Sequence, residues 1–130
     1  MKMLSTCCAL ILPACLLVGA CISGSSARNA ETLQGVYINE SSSTYSRAFD
    51  TLEIRKEDNE TNIFLVERRV SFQRIKNGKF LSKEYKLENW IGLYDAKNNV
   101  LTDMKKGRTI ECLPEKRKLF LGNSVYLKIK

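Results

Sequence analysis

The sequence contains no histidine. That removes the commonest general base, every histidine-dependent catalytic triad and most transition-metal sites. Cysteine is scarce where it would count. Cys7, Cys8 and Cys15 fall in an N-terminal apolar run, Cys21 follows directly behind it, and Cys112 stands alone. Once the first four are given to processing and lipid attachment, Cys112 has no partner within the chain. No disulfide and no zinc site can then be built. Cys112 lies in an alternating apolar stretch, which predicts a buried and inert thiol. There is no glycine-rich phosphate loop, no pair of carboxylates at an informative spacing, and no interleaving of aromatic with basic residues. These absences point to a chain that is not an enzyme, has no metal or cofactor, and does not bind nucleic acid.

What is present begins with the N-terminus. Met1-Lys2 carries positive charge, Thr6 to Val18 is apolar and uncharged, and Gly19-Ala20 are small. This is the layout of a secretory signal peptide. The apolar run is shorter than the ~20 residues of a permanent span. Val18-Gly19-Ala20-Cys21 resembles the bacterial lipobox, in which the cysteine thiol takes diacylglycerol and becomes the first mature residue. Leu12-Pro13-Ala14-Cys15 is a poorer match, because proline is awkward there. The alternative is a plain cleaved signal with an incidental cysteine. Two or more acyl chains on Cys21 would anchor the protein stably to a membrane.

These signals divide the chain into three parts. Residues 1–20 are the signal peptide, expected as a helix, and 21–31 are the lipidated cysteine and a small, polar tether. Residues 32–130 form a single β-domain. Position 22 is Ile22, and no acid occurs from Ile22 to Asn29. The expected location is therefore the bacterial cell envelope, on the outer membrane facing the periplasm. The formal charge is +7, of which Lys2 leaves with the signal. The remaining basic residues alternate with acids such as Glu67, Glu84, Glu88 and Glu115, the pattern of solvated strand faces.

From Leu33 the chain reads as about eight short strands with turns between them. The expected fold is all-β: an antiparallel up-and-down meander, closed as a small lipocalin-like barrel or left as a strongly curved sheet. Asn77-Gly78 predicts a two-residue hairpin pairing Ile75 with Phe80 and Phe72 with Lys83. The stretch Asn62 to Ile75 is long for one strand, so a bulge is expected near Arg68-Arg69. A helical turn through Tyr45 to Phe49 is expected to cover one barrel end, with Tyr45 and Phe49 as plugs.

Few residues offer themselves as a site. Arg68 and Arg74 share a parity with Phe64, Val66, Val70 and Phe72, so an unbulged strand would point them inward, where they could hold an anionic ligand, whereas a bulge would flip the parity and leave both solvated. Trp90 and Tyr94 share a parity on the returning strand, either lining a cavity or packing the core. Asp50-Thr51-Leu52 resembles a three-residue O-glycan acceptor, with Thr51 as the modified residue. Asn39-Glu40-Ser41 and Asn59-Glu60-Thr61 match the N-glycan pattern, which means little in a bacterial chain.

Scattered residues across most of the mature chain carry a resemblance. They are Gly35-Val36-Tyr37, Tyr45-Ser46, Asp50-Thr51-Leu52, Glu67-Arg68-Arg69, Phe72-Gln73-Arg74-Ile75, Gly78-Lys79, Trp90 and Tyr94-Asp95. The chain is similar to the small lipoproteins of unknown function encoded with Bacteroides conjugative transposons. The resemblance implies export, lipidation and association with mobile elements, and it supplies no catalytic residues. The expected function is a non-enzymatic, membrane-anchored accessory that works by protein contact with envelope or conjugation proteins. The alternative is a carrier that holds a small ligand in the barrel.

Overall fold

The structure is a computed structural model and describes residues 30–58 and 60–130. The signal peptide, Cys15, Cys21, the tether through Asn29, and Asn59 lie outside the described residues. Eight antiparallel strands follow one another and close into a barrel, each paired with its neighbours in sequence. They are β1 (Gly35–Ser42), β2 (Ser46–Lys56), β3 (Ile63–Lys76), β4 (Lys79–Asp95), β5 (Val100–Asp103), β6 (Thr109–Leu113), β7 (Lys118–Leu121) and β8 (Ser124–Lys128). The meander expected from the turn signals is therefore present, and of its two forms the closed barrel is the one adopted.

Closure depends on the two ends of the domain meeting. Tyr37 and Ile38 of β1 pair with Lys128 and Leu127 of β8. The Val36 N–H donates to the Lys130 carbonyl at 2.7 Å, and the Ile129 N–H donates to the Val36 carbonyl at 2.8 Å. Gly35 sits at φ +147°, where a Cβ would lie 2.4 Å from the Lys130 carbonyl oxygen. Only glycine lets the first and last residues of the sheet pass this closely.

The end of the barrel where β1 starts and β8 finishes is called the lower end. It is sealed from within. Residues 30–33 form one helical turn that buries Ala30 and Leu33. The Tyr37 hydroxyl donates to the Leu33 carbonyl at 2.8 Å, and Lys128 Nζ donates to the Thr32 carbonyl at 2.6 Å. Above this plug, alternate residues of every strand face inward and fill the barrel. Tyr37, Leu52, Ile54, Phe64, Val66, Leu101, Ile110, Cys112, Leu119 and Tyr126 are all buried. Phe64 meets Tyr94 edge to face, with centroids 5.8 Å apart. Gly92 lies between Trp90 and Tyr94 on the inner face of β4, and its missing side chain leaves room for Leu101.

The strands differ in length, and that difference shapes the molecule. β5 to β8 have four or five residues each, whereas β3 and β4 have 14 and 17. The upper parts of β1 to β4 therefore rise past the barrel rim as a projecting sheet. Asn77 (φ 52°) and Gly78 (φ 73°) turn its tip, and Ile75 pairs with Phe80 as expected.

Three expectations are corrected here. Tyr45 to Phe49 is not a helical turn, because β2 starts at Ser46 and runs unbroken to Lys56. Ser43 makes the turn instead: its Oγ accepts the Tyr45 and Ser46 N–H groups, both at 3.2 Å. The Tyr45 carbonyl then accepts the Ile75 N–H at 2.8 Å. Tyr45 is 78% exposed and plugs nothing. The plug is Leu33, at the opposite end. Phe49 lies on the outer face under the Arg47 guanidinium, 4.9 Å from its ring. Finally, β3 crosses Arg68-Arg69 without a bulge. The irregularity lies between Gln73 and Ile75, so Phe72 faces Glu84 and Gln73 faces Lys83. The extra residue sits on β4, where Gln73 Nε2 caps the Leu81 carbonyl at 2.8 Å.

Candidate functional site at the barrel mouth and the projecting hairpin

The upper rim of the barrel carries an ion-pair relay that crosses from β2 to the β5–β6 turn. Asp50 on β2 accepts Nε and Nη2 of Arg68 on β3, at 3.1 and 2.6 Å. The Tyr126 hydroxyl, on β8, donates to the same Asp50 Oδ2 at 2.6 Å. Arg68 Nη1 lies 3.8 Å from Glu88 Oε2 on β4. Arg108 Nη1 reaches that oxygen at 3.2 Å, while its Nε and Nη2 both bind Asp103 Oδ2, at 3.1 and 3.0 Å. The Arg108 guanidinium also lies over the Trp90 ring, 4.2 Å from the centroid.

The register explains why these side chains meet. Leu52 pairs with Arg68 and Arg68 with Glu88, so inward-facing positions fall side by side across three strands. Asp103 ends β5 and starts its turn. Its Oδ1 accepts the Lys105 and Lys106 amides at 2.9 and 3.2 Å. Burial alone pushes the Asp103 carboxyl up. Those two amides and Arg108 outweigh it and hold the group below its usual range. Lys86 and Arg108 likewise hold Glu88 below the ordinary glutamate value.

Chemically this assembly is a seal. Three carboxylates face two guanidiniums, with Lys86 on Glu88 at 3.1 Å, so the mouth carries no net charge to draw an anion. An open hollow of about 400 Å³ lies above it, bordered by Arg68, Arg108, Leu121 and Tyr126. It does not continue into the core, where Tyr126 and Leu119 are buried.

The four residues expected around a ligand are spread along the barrel axis. Arg68 faces inward at the mouth. Arg74 is exposed near the hairpin tip, 5.9 Å from the Phe72 ring. Trp90 is buried beneath Arg108, and its indole N–H has no acceptor among the described residues. Tyr94 is buried towards the lower end, where its hydroxyl donates to Asn99 at 2.8 Å and burial pushes its pKa up to about 12. Thr51 sits in the middle of β2 with its backbone paired to Ile38 on one side and Arg69 on the other. Among the described residues no cluster of metal-ligating side chains occurs, and no helix is long and apolar enough to cross a membrane.

Sequence reasoning missed Asp50, Glu88, Asp103, Arg108 and Tyr126. A signal was available for three of them. Asp50 keeps phase with Leu52 and Ile54, Glu88 with Trp90, and Asp103 with Leu101. A charge in the apolar phase of a strand marks a buried pair.

The projecting hairpin presents the other notable surface. β4 pairs with β5 only over Gly92–Asp95, and the Met104 N–H reaches the Ile91 carbonyl at 3.0 Å. Below Ile91 in number, β4 has no strand on that side among the described residues. Its outer face carries Tyr85, 76% exposed, and Leu87, 61% exposed. With Phe49, Thr51, Arg69 and Ser71 they border an apolar hollow of about 440 Å³.

Taken together, the fold and its rim define a small closed β-barrel with a filled interior, a sealed mouth and a projecting hairpin. Comparison with protein-family models, with curated proteins and with solved structures finds no match for this chain.

Proposed function

We propose that this chain is a membrane-anchored lipoprotein of the bacterial cell envelope that acts by protein contact, with the projecting β3–β4 hairpin as its contact surface. One observation carries the reading. The barrel interior is filled from Leu33 to the Asp50–Arg68 pair, while an unpaired strand edge and large apolar side chains stand exposed on the hairpin. A carrier needs an interior volume, and a contact module needs an exposed edge or apolar patch. Cys21 supplies the anchor in this reading, with the small, polar stretch 22–29 between it and the packed domain. The outer membrane, facing the periplasm, is the proposed site, and an envelope or conjugation component is the proposed class of partner.

The test is purification of the native lipidated protein from its host envelope. The reading expects a bound protein, lost on Leu87→Asp, and release of the chain from membranes by Cys21→Ala. Retention of a small molecule with no protein partner would overturn it. That outcome would favour carriage of a small ligand, the second reading, which rests on the hollow beside Arg68 and Arg108. The conjugation link has its own test: unchanged mating after deletion of the gene removes it.

A further inference from the structure

We propose that the partner of the β4 edge is a second copy of this chain, joined by antiparallel β4–β4 pairing centred on Tyr85. The inference rests on the contact-module reading above and names its partner.

The free edge has a defined set of hydrogen-bonding groups. The Ile91 carbonyl points to the β5 side, where it meets Met104, and the Tyr94 N–H points to the β3 side, where it meets Asn62. Backbone groups alternate in direction along a strand. Lys83, Tyr85, Leu87 and Asn89 therefore direct their N–H and C=O groups to the free edge. These are unpaired donors and acceptors of the kind that recruit another strand.

The sequence of the edge selects the partner and the register. Two copies of one strand can pair antiparallel about a two-fold axis. A register that matches outward-pointing groups pairs odd positions with odd ones. Centring it on Lys86 sets Lys86 against its own copy and Glu84 against Glu88. Centring it on Glu84 sets two glutamates together. Centring it on Tyr85 sets Glu84 opposite Lys86 on both sides of the axis. Those two positions form non-hydrogen-bonded pairs, whose side chains lie closest. Glu84 makes no ion pair within its own chain among the described residues; Lys86 meets Glu88 at 3.1 Å, but its side chain is 70% exposed, so its ammonium can turn to Glu84 of a second copy. A Leu87-centred register also pairs Lys86 with Glu88, but Glu88 is already held by Arg108 and pairing would soon run into β5. Only the Tyr85 register sets opposite charges face to face from Lys83 to Leu87 without drawing on Glu88 or reaching β5, and the bulge at Leu81, whose carbonyl Gln73 caps, ends the pairing on the other side.

The pairing has a consequence for the tethers. Antiparallel strands point the two lower ends in opposite directions. Both can reach one membrane when the joined sheets lie flat on it, the two-fold axis along the membrane normal.

Cysteine cross-linking of the full-length chain in intact envelopes reads the register. In the proposed dimer the two Tyr85 Cα atoms lie about 5.5 Å apart, within disulfide range, whereas the two Leu87 Cα atoms are about 14 Å apart. Both side chains are largely exposed, so neither substitution threatens the fold. Under mild oxidation Tyr85→Cys should give a chain dimer, about ten-fold more than Leu87→Cys or the unsubstituted chain. Adding Glu84→Lys sets like charges opposite and should suppress that dimer, and adding Lys86→Glu as well should restore it. Equal cross-linking at the two positions, a Leu87→Cys dimer exceeding the Tyr85→Cys one, or no rescue by the double charge exchange would overturn the proposal. Adducts at both positions to a protein of different mass would overturn self-pairing while leaving the contact reading standing. No adduct of any kind would remove both.

Discussion

Arg68 binds Asp50 through two of its guanidinium nitrogens, and the Tyr126 hydroxyl binds the same carboxylate from the far side of the seam. One aspartate thus ties β2, β3 and β8 together above the apolar core. Asp50→Ala removes the acceptor of the Tyr126 hydroxyl and the carboxylate that takes the Arg68 hydrogen bonds. Breaking a buried pair from one side costs about 3–5 kcal/mol, and a quarter-exposed Arg68 side chain puts this case at about 2–4 kcal/mol. Asp50→Asn keeps the shape and one acceptor oxygen and should cost about half as much. Urea denaturation of the three proteins checks the order.

The rim also sets the acid limit of stability. Glu88 and Asp103 both titrate below their ordinary values, Glu88 through Lys86 and Arg108, and Asp103 through amides and Arg108 that outweigh its burial. A carboxylate depressed in the folded state contributes stability above its unfolded pKa, about 4, and loses it as pH falls through the folded value. The melting temperature should hold from neutral pH to about 5 and then decline. Arg108→Gln should flatten that decline, because it removes a cation that both groups share. A melting series across pH 2–7, as an order-of-magnitude range for carboxylate titration, reads the difference.

The fold was legible where local chemistry and pattern agree. Asn77-Gly78 marks a turn found in the structure, and alternation placed Phe64, Val66, Trp90 and Tyr94 on the inner face. Tyr45 to Phe49 misled because Ser46, Arg47 and Ala48, between the two aromatics, carry little β preference of their own. The length of β3 beside it and the Ile75–Tyr45 backbone bond make it strand. The bulge was misplaced because adjacent arginines suggested a break. Glu53 and Glu67 in fact hold Arg69 outside, at 3.5 and 3.1 Å, while Asp50 holds Arg68 inside. The candidate site was half legible: parity turned Arg68 inward, but its partner lies on another strand, and no single-strand pattern shows that.

Cys112 is buried, hydrogen-bonds weakly to the Ile110 carbonyl, and has its thiol pKa pushed up to about 12 by burial. Burial therefore keeps the thiolate scarce at neutral pH. Alkylation of Cys112 should therefore proceed only through unfolding. Mass spectrometry of the peptide carrying Cys112 should show no modification by iodoacetamide under native conditions and complete modification in denaturant. Rapid native labelling would contradict the burial.

Gly92 and Leu101 share one space across the β4–β5 ladder. A Cβ at Gly92 would lie 2.7 Å from Leu101 Cδ1 and 2.8 Å from its Cγ. Leu101 is 1% exposed, so it cannot swing out into solvent to make room. Gly92→Ala should cost about 1–3 kcal/mol by overpacking. Leu101→Ala should cost about 2–5 kcal/mol by leaving a cavity. Each change cures part of what the other causes, since the added methyl enters the space vacated by the leucine. The double variant should therefore be more stable than the sum of the two single losses predicts, by about 0.5–3 kcal/mol. Simple additivity in denaturation would mean that Leu101 does not set the cost of a side chain at Gly92.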